Sequence, residues 1–384
     1  MTRAPLITGP FLLCALANFL QGMAFNLYLH LPGFLQQLGA GEVQIGFIFG
    51  LTAAVAIVVR PWLGRAMDSH GRRRLILAGG ALNVVVCCLY LTVGRLGPWI
   101  YAVRVGHGLA EAALFAAFFT QAADLVPASR CTGGLALFGV SGMLPISFGG
   151  LMGDAILARA DYAAVFAASV VLAASSLALS LPLRDAVLSS GELPNRGFVA
   201  AALQRDLLPV WFVGTVFATA LAAYFTFLKT FVLATGIGSV GGFFTAYALS
   251  AVSLRLFFAW LPERVGPKRV LFPALAVLAL GLVLLARTTR ASEVVAAGIL
   301  CGLGHGFVFP ILLGLVVERA RAAERGAALS VFTALFDGGV LLGGPSLGAV
   351  IRFGSYPVMF NVAALLVLTG STIFALWDRR CGAG

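Results

Sequence analysis

Arg104, His107, Gly108 and Glu111 put a base, an imidazole, a gap and an acid at spacings of 3, 4 and 7, so all four share one face of a helix. The guanidinium and the carboxylate stand about 10 Å apart along the axis by helical rise, too far to pair directly without bending. Each therefore needs water, a substrate or another helix. The residues around them are apolar, and an ionisable group deep in an apolar segment is costly enough to be a functional candidate by default. On that ground Glu111 and Asp337 are candidate proton carriers, and His107 and His305, both flanked by glycine, either titrate or hydrogen-bond a neighbouring helix. Arg104 and Lys229 are candidates for substrate contact; a charge that only holds helices together fits these residues equally well. Asn18, Gln21, Gly22 and Asn26 form a second stripe, at spacings of 3, 4 and 8, on an otherwise apolar helix. Tyr224, Phe225, Phe227, Phe244 and Tyr247 would suit an amphipathic ligand, although helix packing explains single aromatic positions too.

These residues need a framework, and composition supplies it. Of 384 residues 60% are hydrophobic and 11% charged, with a mean hydropathy of +0.99, which excludes a soluble protein. Twelve apolar stretches, each long enough to cross about 30 Å of hydrocarbon, fall at 6–29, 43–63, 75–93, 98–122, 131–157, 162–182, 207–234, 241–262, 270–287, 293–317, 327–350 and 356–377. The expected fold is an all-α polytopic membrane protein in a lipid bilayer, its first span kept as an uncleaved anchor. The net charge of +11 follows the loops: with the N-terminus cytoplasmic, cytoplasmic loops and tails hold 17 Lys and Arg against 5 in the outer loops. Both termini are thus expected inside, and the basic balance is a topology signal that gives no support to nucleic-acid binding. Six cysteines lie mostly within spans without metal-ligand spacing, so neither a metal nor a cofactor is expected.

The chain is also written twice. "RPWLGRAMDSHGRRRLIL" (60–77) returns 195 residues later as "RLFFAWLPERVGPKRVL" (255–271): Arg60, Asp68, Gly71, Arg73 and Arg74 correspond to Arg255, Glu263, Gly266, Lys268 and Arg269. "GHG" at 106–108 recurs at 304–306, and "ALF" at 136–138 recurs at 334–336. A repeat of that length implies two six-helix halves of parallel topology. The expected organisation is a bundle over 1–183, a cytoplasmic linker over 184–205 and a second bundle over 206–384.

With these residues in view the chain resembles the major facilitator superfamily of secondary transporters along essentially its whole length. "GRAMDSHGRRRL" is similar to that family's signature loop G-x-x-x-D-x-x-G-R-[RK]-x-[RK], beginning at Gly64, with Arg65 replacing a more usual small or apolar residue. "RVGHG" is similar to its R-x-x-Q-G, with His107 in the Gln position, and "ADLVPASR" to its acid-to-Arg segment through Asp124 and Arg130. "GVSGMLPISFGG" (139–150) only partly follows the antiporter motif G-x-x-x-G-P-x-x-G-G; "GGPSLG" (343–348) is a closer fragment. The resemblance implies two pseudo-symmetric six-helix bundles, spans 1, 4, 7 and 10 around a central cavity, and a cytoplasmic latch. In that latch Asp68 faces the positive N-terminal end of helix 11, Arg72 pairs with Asp124, Arg60 and Arg73 shape the network, and Glu263, Lys268 and Arg269 build a copy against helix 5.

The implied function is proton-coupled efflux of a small amphipathic organic compound by rocking-bundle alternating access, in a bacterial inner membrane, by a monomer driven by the proton gradient. Uptake or uniport of a small organic solute is the alternative. "GVSG" (139–142) also matches the G-x-S-G string of rhomboid-type intramembrane proteases through Ser141, but twelve repeated spans do not suit that architecture, and the chain is expected not to be an enzyme.

Overall fold

The computed structural model describes residues 8–126, 131–184, 198–321 and 324–381, apart from the side chains of residues 64, 65, 68, 69, 131–133, 136 and 379–381. Among the described residues twelve helices are long and apolar enough to cross a membrane. Helix α1 (Gly9–Asn26) runs through a 3-10 turn (Leu27–His30) into α2 (Leu31–Gln37), and the two together form the first span. The sequence pattern ended this span at 29. Pro32 prolongs it instead, since a proline in the first turn of a helix lacks only an N–H that would go unused there. Spans 2 to 6 are α3 (Glu42–His70), α4 (Arg72–Tyr90), α5 (Pro98–Leu125), α6 (Cys131–Leu157) and α7 (Tyr162–Ser180). After the short α8 (Phe198–Ala202) come α9 (Leu208–Thr235), α10 (Val240–Phe257), the one-turn α11 (Leu261–Val265), α12 (Pro267–Ala286), α13 (Ala291–Arg319), α14 (Arg325–Phe353) and α15 (Tyr356–Cys381). Span 8 thus stops short of the expected 262: Phe258 leaves the helical region and Pro262 starts the next turn.

The chain forms two compact units, one of residues up to 39 with 58–190, the other of 40–57 with 191–384. In the first, α1 packs against α5, α6 and α7, and α4 against α5 and α7, around Phe11, Cys14, Leu114, Phe118 and Phe138. In the second, α9 packs on α14 and α15, and α12 on α13 and α15. The pairings α1–α6, α1–α7, α4–α5 and α4–α7 therefore recur as α9–α14, α9–α15, α12–α13 and α12–α15. This is the pseudo-symmetric pair of bundles that the repeat implied.

Glycines set the closest approaches. In the second unit a Cβ on Gly339 or Gly343 of α14 would lie 2.5 or 2.6 Å from the carbonyl oxygens of Thr215 and Thr219 on α9. On its other side, a Cβ on Gly344 or Gly348 would lie 2.4 or 2.6 Å from the carbonyl oxygens of Gly46 and Glu42 on the first part of α3. The "GGVLLGG" string is the mark of a helix touched by backbone on two sides, as membrane interfaces of small residues allow.

The repeated loop owes its glycine to the backbone. Gly71 has φ +84° and Gly266 φ +106°, a region that side-chain-bearing residues rarely enter, and each is the N-cap of the next span. Gly71→Ala and Gly266→Ala are each expected to cost about 1–3 kcal/mol of stability. Gly97→Ala, at φ 174° with open space around its Cβ, is expected to be neutral. Thermal melts in detergent check this; equal midpoints for all three variants would show the two turns to be unstrained.

Candidate functional site

In the first unit α1 presents its polar stripe to three other helices. Gln21 on α1 donates through Nε2 to Glu111 Oε2 on α5 (3.1 Å) and accepts at Oε1 from Asn83 Nδ2 on α4 (3.1 Å). Asn83, 1% exposed, in turn takes the Cys87 thiol at 3.9 Å. Asn18 donates to Ser141 Oγ on α6 at 2.9 Å, and that hydroxyl donates to the Phe138 carbonyl at 2.6 Å. Ser141 is thereby a helix-packing hydroxyl with its proton committed to a backbone oxygen. Asn26 turns back on its own helix, donating to the Gly22 carbonyl at 2.8 Å.

One turn and more along α5 from Glu111, Arg104 and His107 are buried, 1% and 0% exposed. Arg104 Nη1 donates to Tyr90 OH (3.4 Å) and lies 3.3 Å from His107 Nδ1, which also meets Tyr90 OH at 3.1 Å. A guanidinium only donates, so Nδ1 accepts and Nε2 carries the ring proton. Around the imidazole stand Tyr28 (4.5 Å between centroids), Phe25 and Tyr90. Each of the two charged groups meets another helix: Glu111 takes an amide from α1 and Arg104 a phenol from α4. Asn83 and Tyr90 were not singled out by sequence reasoning, although Asn83, a polar residue amid span 3, carries the same signal as Asn18.

The second unit answers with rings. Tyr224, Phe225, Phe243, Phe244 and Tyr247 form one cluster with centroids 5.1–6.4 Å apart, and Tyr224 and Tyr247 are fully buried in it. Tyr247 OH hydrogen-bonds His305 Nδ1 on α13, whose ring meets Phe217 edge-on at 5.3 Å. Phe227 is buried on the same helix as Tyr224. Lys229 is 8% exposed on α9, and Asp337 is half-buried on α14.

At the loop end of the first unit Arg72 Nε meets Asp124 Oδ2 at 3.0 Å, the pair the family resemblance implied, and Arg72 Nη1 donates to the Met67 carbonyl at 3.2 Å. Arg73 reaches the Leu181 carbonyl just past α7 at 2.9 Å. In the second unit Lys268, the counterpart of Arg73, pairs with Asp378 on α15 at 2.5 Å, and Arg319 at the end of α13 takes the other oxygen at 2.6 Å. Asp378 and Arg319 were not among the expected residues, because both stand at span ends where a charge is ordinary. Arg255 Nε donates to the Gly306 carbonyl at 3.3 Å, Arg60 is half-buried on α3, and Glu263 and Arg269 are exposed. The Asp68 side chain, the surroundings of Gly64 and all of Arg130 lie outside the described residues.

The sequence profile of the Major Facilitator Superfamily matches residues 11–244 and 210–380. The chain belongs to this family. It is therefore a multi-pass membrane transporter and not an enzyme. An MFS-type transporter of Pseudomonas aeruginosa (strain UCBPP-PA14) is 27% identical over 360 residues, covering 91% of this chain and 88% of that protein. The staphylopine export protein of Staphylococcus aureus (strain Mu50 / ATCC 700699) is 22% identical over 376 residues, 94% of each chain. Among solved structures the nucleoside transporter NupG shares the fold, with a TM-score of 0.80 at 14% identity over 96% of this chain and 99% of that one.

Gln21→Ala would take the amide from both the buried Asn83 and the half-buried Glu111 and is expected to destabilise the transporter by about 1–3 kcal/mol. Asn26→Ala, which frees only a carbonyl of its own helix already bonded in the ladder, is expected to cost well under half as much. Thermal unfolding of the two variants in the same detergent measures the difference, and equal losses would refute the network.

Proposed function

We propose that this transporter exports a small amphipathic organic compound in exchange for protons, by alternating access between two halves, 1–183 and 206–384, joined by a cytoplasmic linker over 184–205. In this reading it sits in a bacterial inner membrane with both termini cytoplasmic, the orientation favoured by the 17 to 5 division of Lys and Arg among the loops. Asp68, with Arg60, Arg72, Arg73 and Arg130, would latch the cytoplasmic face, and Glu263, Lys268 and Arg269 its pseudo-symmetric copy.

The carrying observation is the bond from Gln21 to Glu111. A carboxyl group held by a neutral amide keeps that hydrogen bond whether or not it carries a proton, because its second oxygen is the one that changes. Glu111 can therefore load and release without dismantling the contact between α1 and α5. His107 differs: its Nδ1 is already occupied by Arg104 and Tyr90, which suits an anchor. Export is favoured over uptake because the staphylopine export protein of S. aureus matches almost end to end. The aromatic cluster of α9 and α10 supplies apolar faces that an amphipathic compound would use.

The test is flux in everted vesicles and proteoliposomes with fluorescent amphipathic probes under an imposed pH gradient. Wild type is expected to accumulate probe with the gradient. Glu111→Gln is expected to lose at least about ten-fold of the gradient-driven flux while keeping probe counterflow, since the amide preserves the bond to Gln21. Asp337→Asn, run beside it, examines the other intramembrane carboxylate. Full proton coupling in both variants would reject the assignment, and accumulation in the opposite sense would reject export.

A further inference from the structure

Of the four histidines His30 takes no part in the network above. It closes the 3-10 turn after α1 and is fully buried at 0% exposure. Its Nε2 lies 3.2 Å from the carbonyl oxygen of Gly150 on α6. A carbonyl only accepts, so Nε2 bears the proton and Nδ1 is the basic nitrogen of the neutral ring. Nδ1 stands 3.8 Å from Asp154 Oδ1, also on α6.

The ring occupies a slot cut for it. A Cβ on Gly153 would lie 2.1 Å from the ring Cδ2 and 2.2 Å from Nε2, and a Cβ on Gly149 would lie 2.7 Å from the Cβ of Asn26. The string Gly149-Gly150-Leu151-Met152-Gly153-Asp154 thus lines a groove with glycine and ends it with an acid. The Asp154 side chain is 25% exposed, at the end of the unit opposite the Arg72–Asp124 pair. The elements packed on the turn are α1, α2, α6 and α7, and the turn's Tyr28 ring also meets Tyr90 on α4 and His107 on α5. On α1, α2, α6 and α7 the other ionisable side chains are Cys14 on α1, Cys131 on α6 and Tyr162 on α7; α2 has none, Asp161 caps α7, and Tyr28 lies in the turn itself. Asp154 is the acid that the slot sets against the ring.

We infer that His30 and Asp154 form a proton-binding site in the first unit. A hydronium ion reaching the ring past Asp154 gives its proton to Nδ1: one N–H bond forms, one O–H bond of the hydronium breaks, a water molecule leaves, and the pair passes from one net negative charge to neutral. The imidazolium then has an N–H for each oxygen it faces, the Gly150 carbonyl and the Asp154 carboxylate. Binding thereby draws the end of α1 onto α6. That this proton is used in transport rests on the proton-coupled reading above; its binding does not.

The chain has only four histidines, so the site is directly visible. Protein labelled with carbon-13 histidine is placed in lipid nanodiscs and the imidazole resonances are followed against pH. The His30 signal is assigned by its loss in His30→Gln or, should that variant fail to fold, by elimination with His70→Gln, His107→Gln and His305→Gln. The expected result is a His30 signal that titrates between about pH 5 and pH 8, with proton affinity about ten-fold weaker in Asp154→Asn. A signal that does not move over that range, or an affinity unchanged in Asp154→Asn, would overturn the site. Glu111→Gln is expected to leave the titration as it is. Proton-driven flux that survives Glu111→Gln and Asp337→Asn would remove those two carboxylates as carriers, and wild-type flux indifferent to the imposed gradient would remove the proton-coupled reading, in neither case touching this site; a silent His30 would remove this site alone.

Discussion

Hydrocarbon offers no water to a stranded polar group, and in the first unit helix α1 is where that constraint is met. Ser176 and Ser169 of α7 donate to the carbonyls of Ala17 and Ala24, Ser141 of α6 receives Asn18, and Glu111 of α5 and Asn83 of α4 share the two ends of one amide, Gln21. Four helices are thus registered on a fifth by bonds that fail if α1 slides by about 1.5 Å, the rise of a single residue. Apolar packing around Phe11, Cys14 and Leu114 supplies contact area, but area alone tolerates sliding. The polar stripe fixes the register, and the register in turn delivers Glu111 to its amide and His30 to its slot.

The duplicated architecture does not duplicate its charges. Arg73 and Lys268 hold corresponding places, and each binds the last span of its unit, one at the Leu181 carbonyl and the other at Asp378. Asp124 at the end of α5 pairs with Arg72, whereas the charge at the end of α13 is a base, Arg319, which pairs with Asp378. The acid has moved from the end of span 4 in one unit to the end of span 12 in the other, while the mechanical result, a span end tied to its neighbour by an ion pair, is kept. A Gln204 amide and a buried Glu324, 2.5 Å apart, add a tie between the chain entering α9 and the start of α14.

Much of this was legible in the residues. Twelve spans follow from hydropathy, two bundles from the repeat, and Gly71 and Gly266 from a turn that only glycine makes easily. Arg104, His107 and Glu111 share α5, and Arg104 and Glu111 each meet a side chain of another helix. What periodicity could not supply was the identity of those partners. Asn83, Tyr90 and Asp378 are ordinary residues until a neighbouring helix is set beside them. His30 escaped for a plainer reason: ending span 1 at 29 placed it in a loop, and only continuation through Pro32 buries it. The glycines of 149–153 read as a partial motif in the sequence, whereas in space they are the walls of a slot.

The seam between α14 and the first part of α3 has a consequence for how this chain can vary over generations. At Gly46 and Gly344 each backbone occupies the place where the other's first side-chain carbon would stand. No rotamer relieves such an overlap, since nothing there rotates. Exchange for even the smallest side chain must displace a whole rod of the bundle. Sterics are enough to block drift at these two sites, and a scan of tolerated substitutions would mark them as sharply as any residue that does chemistry.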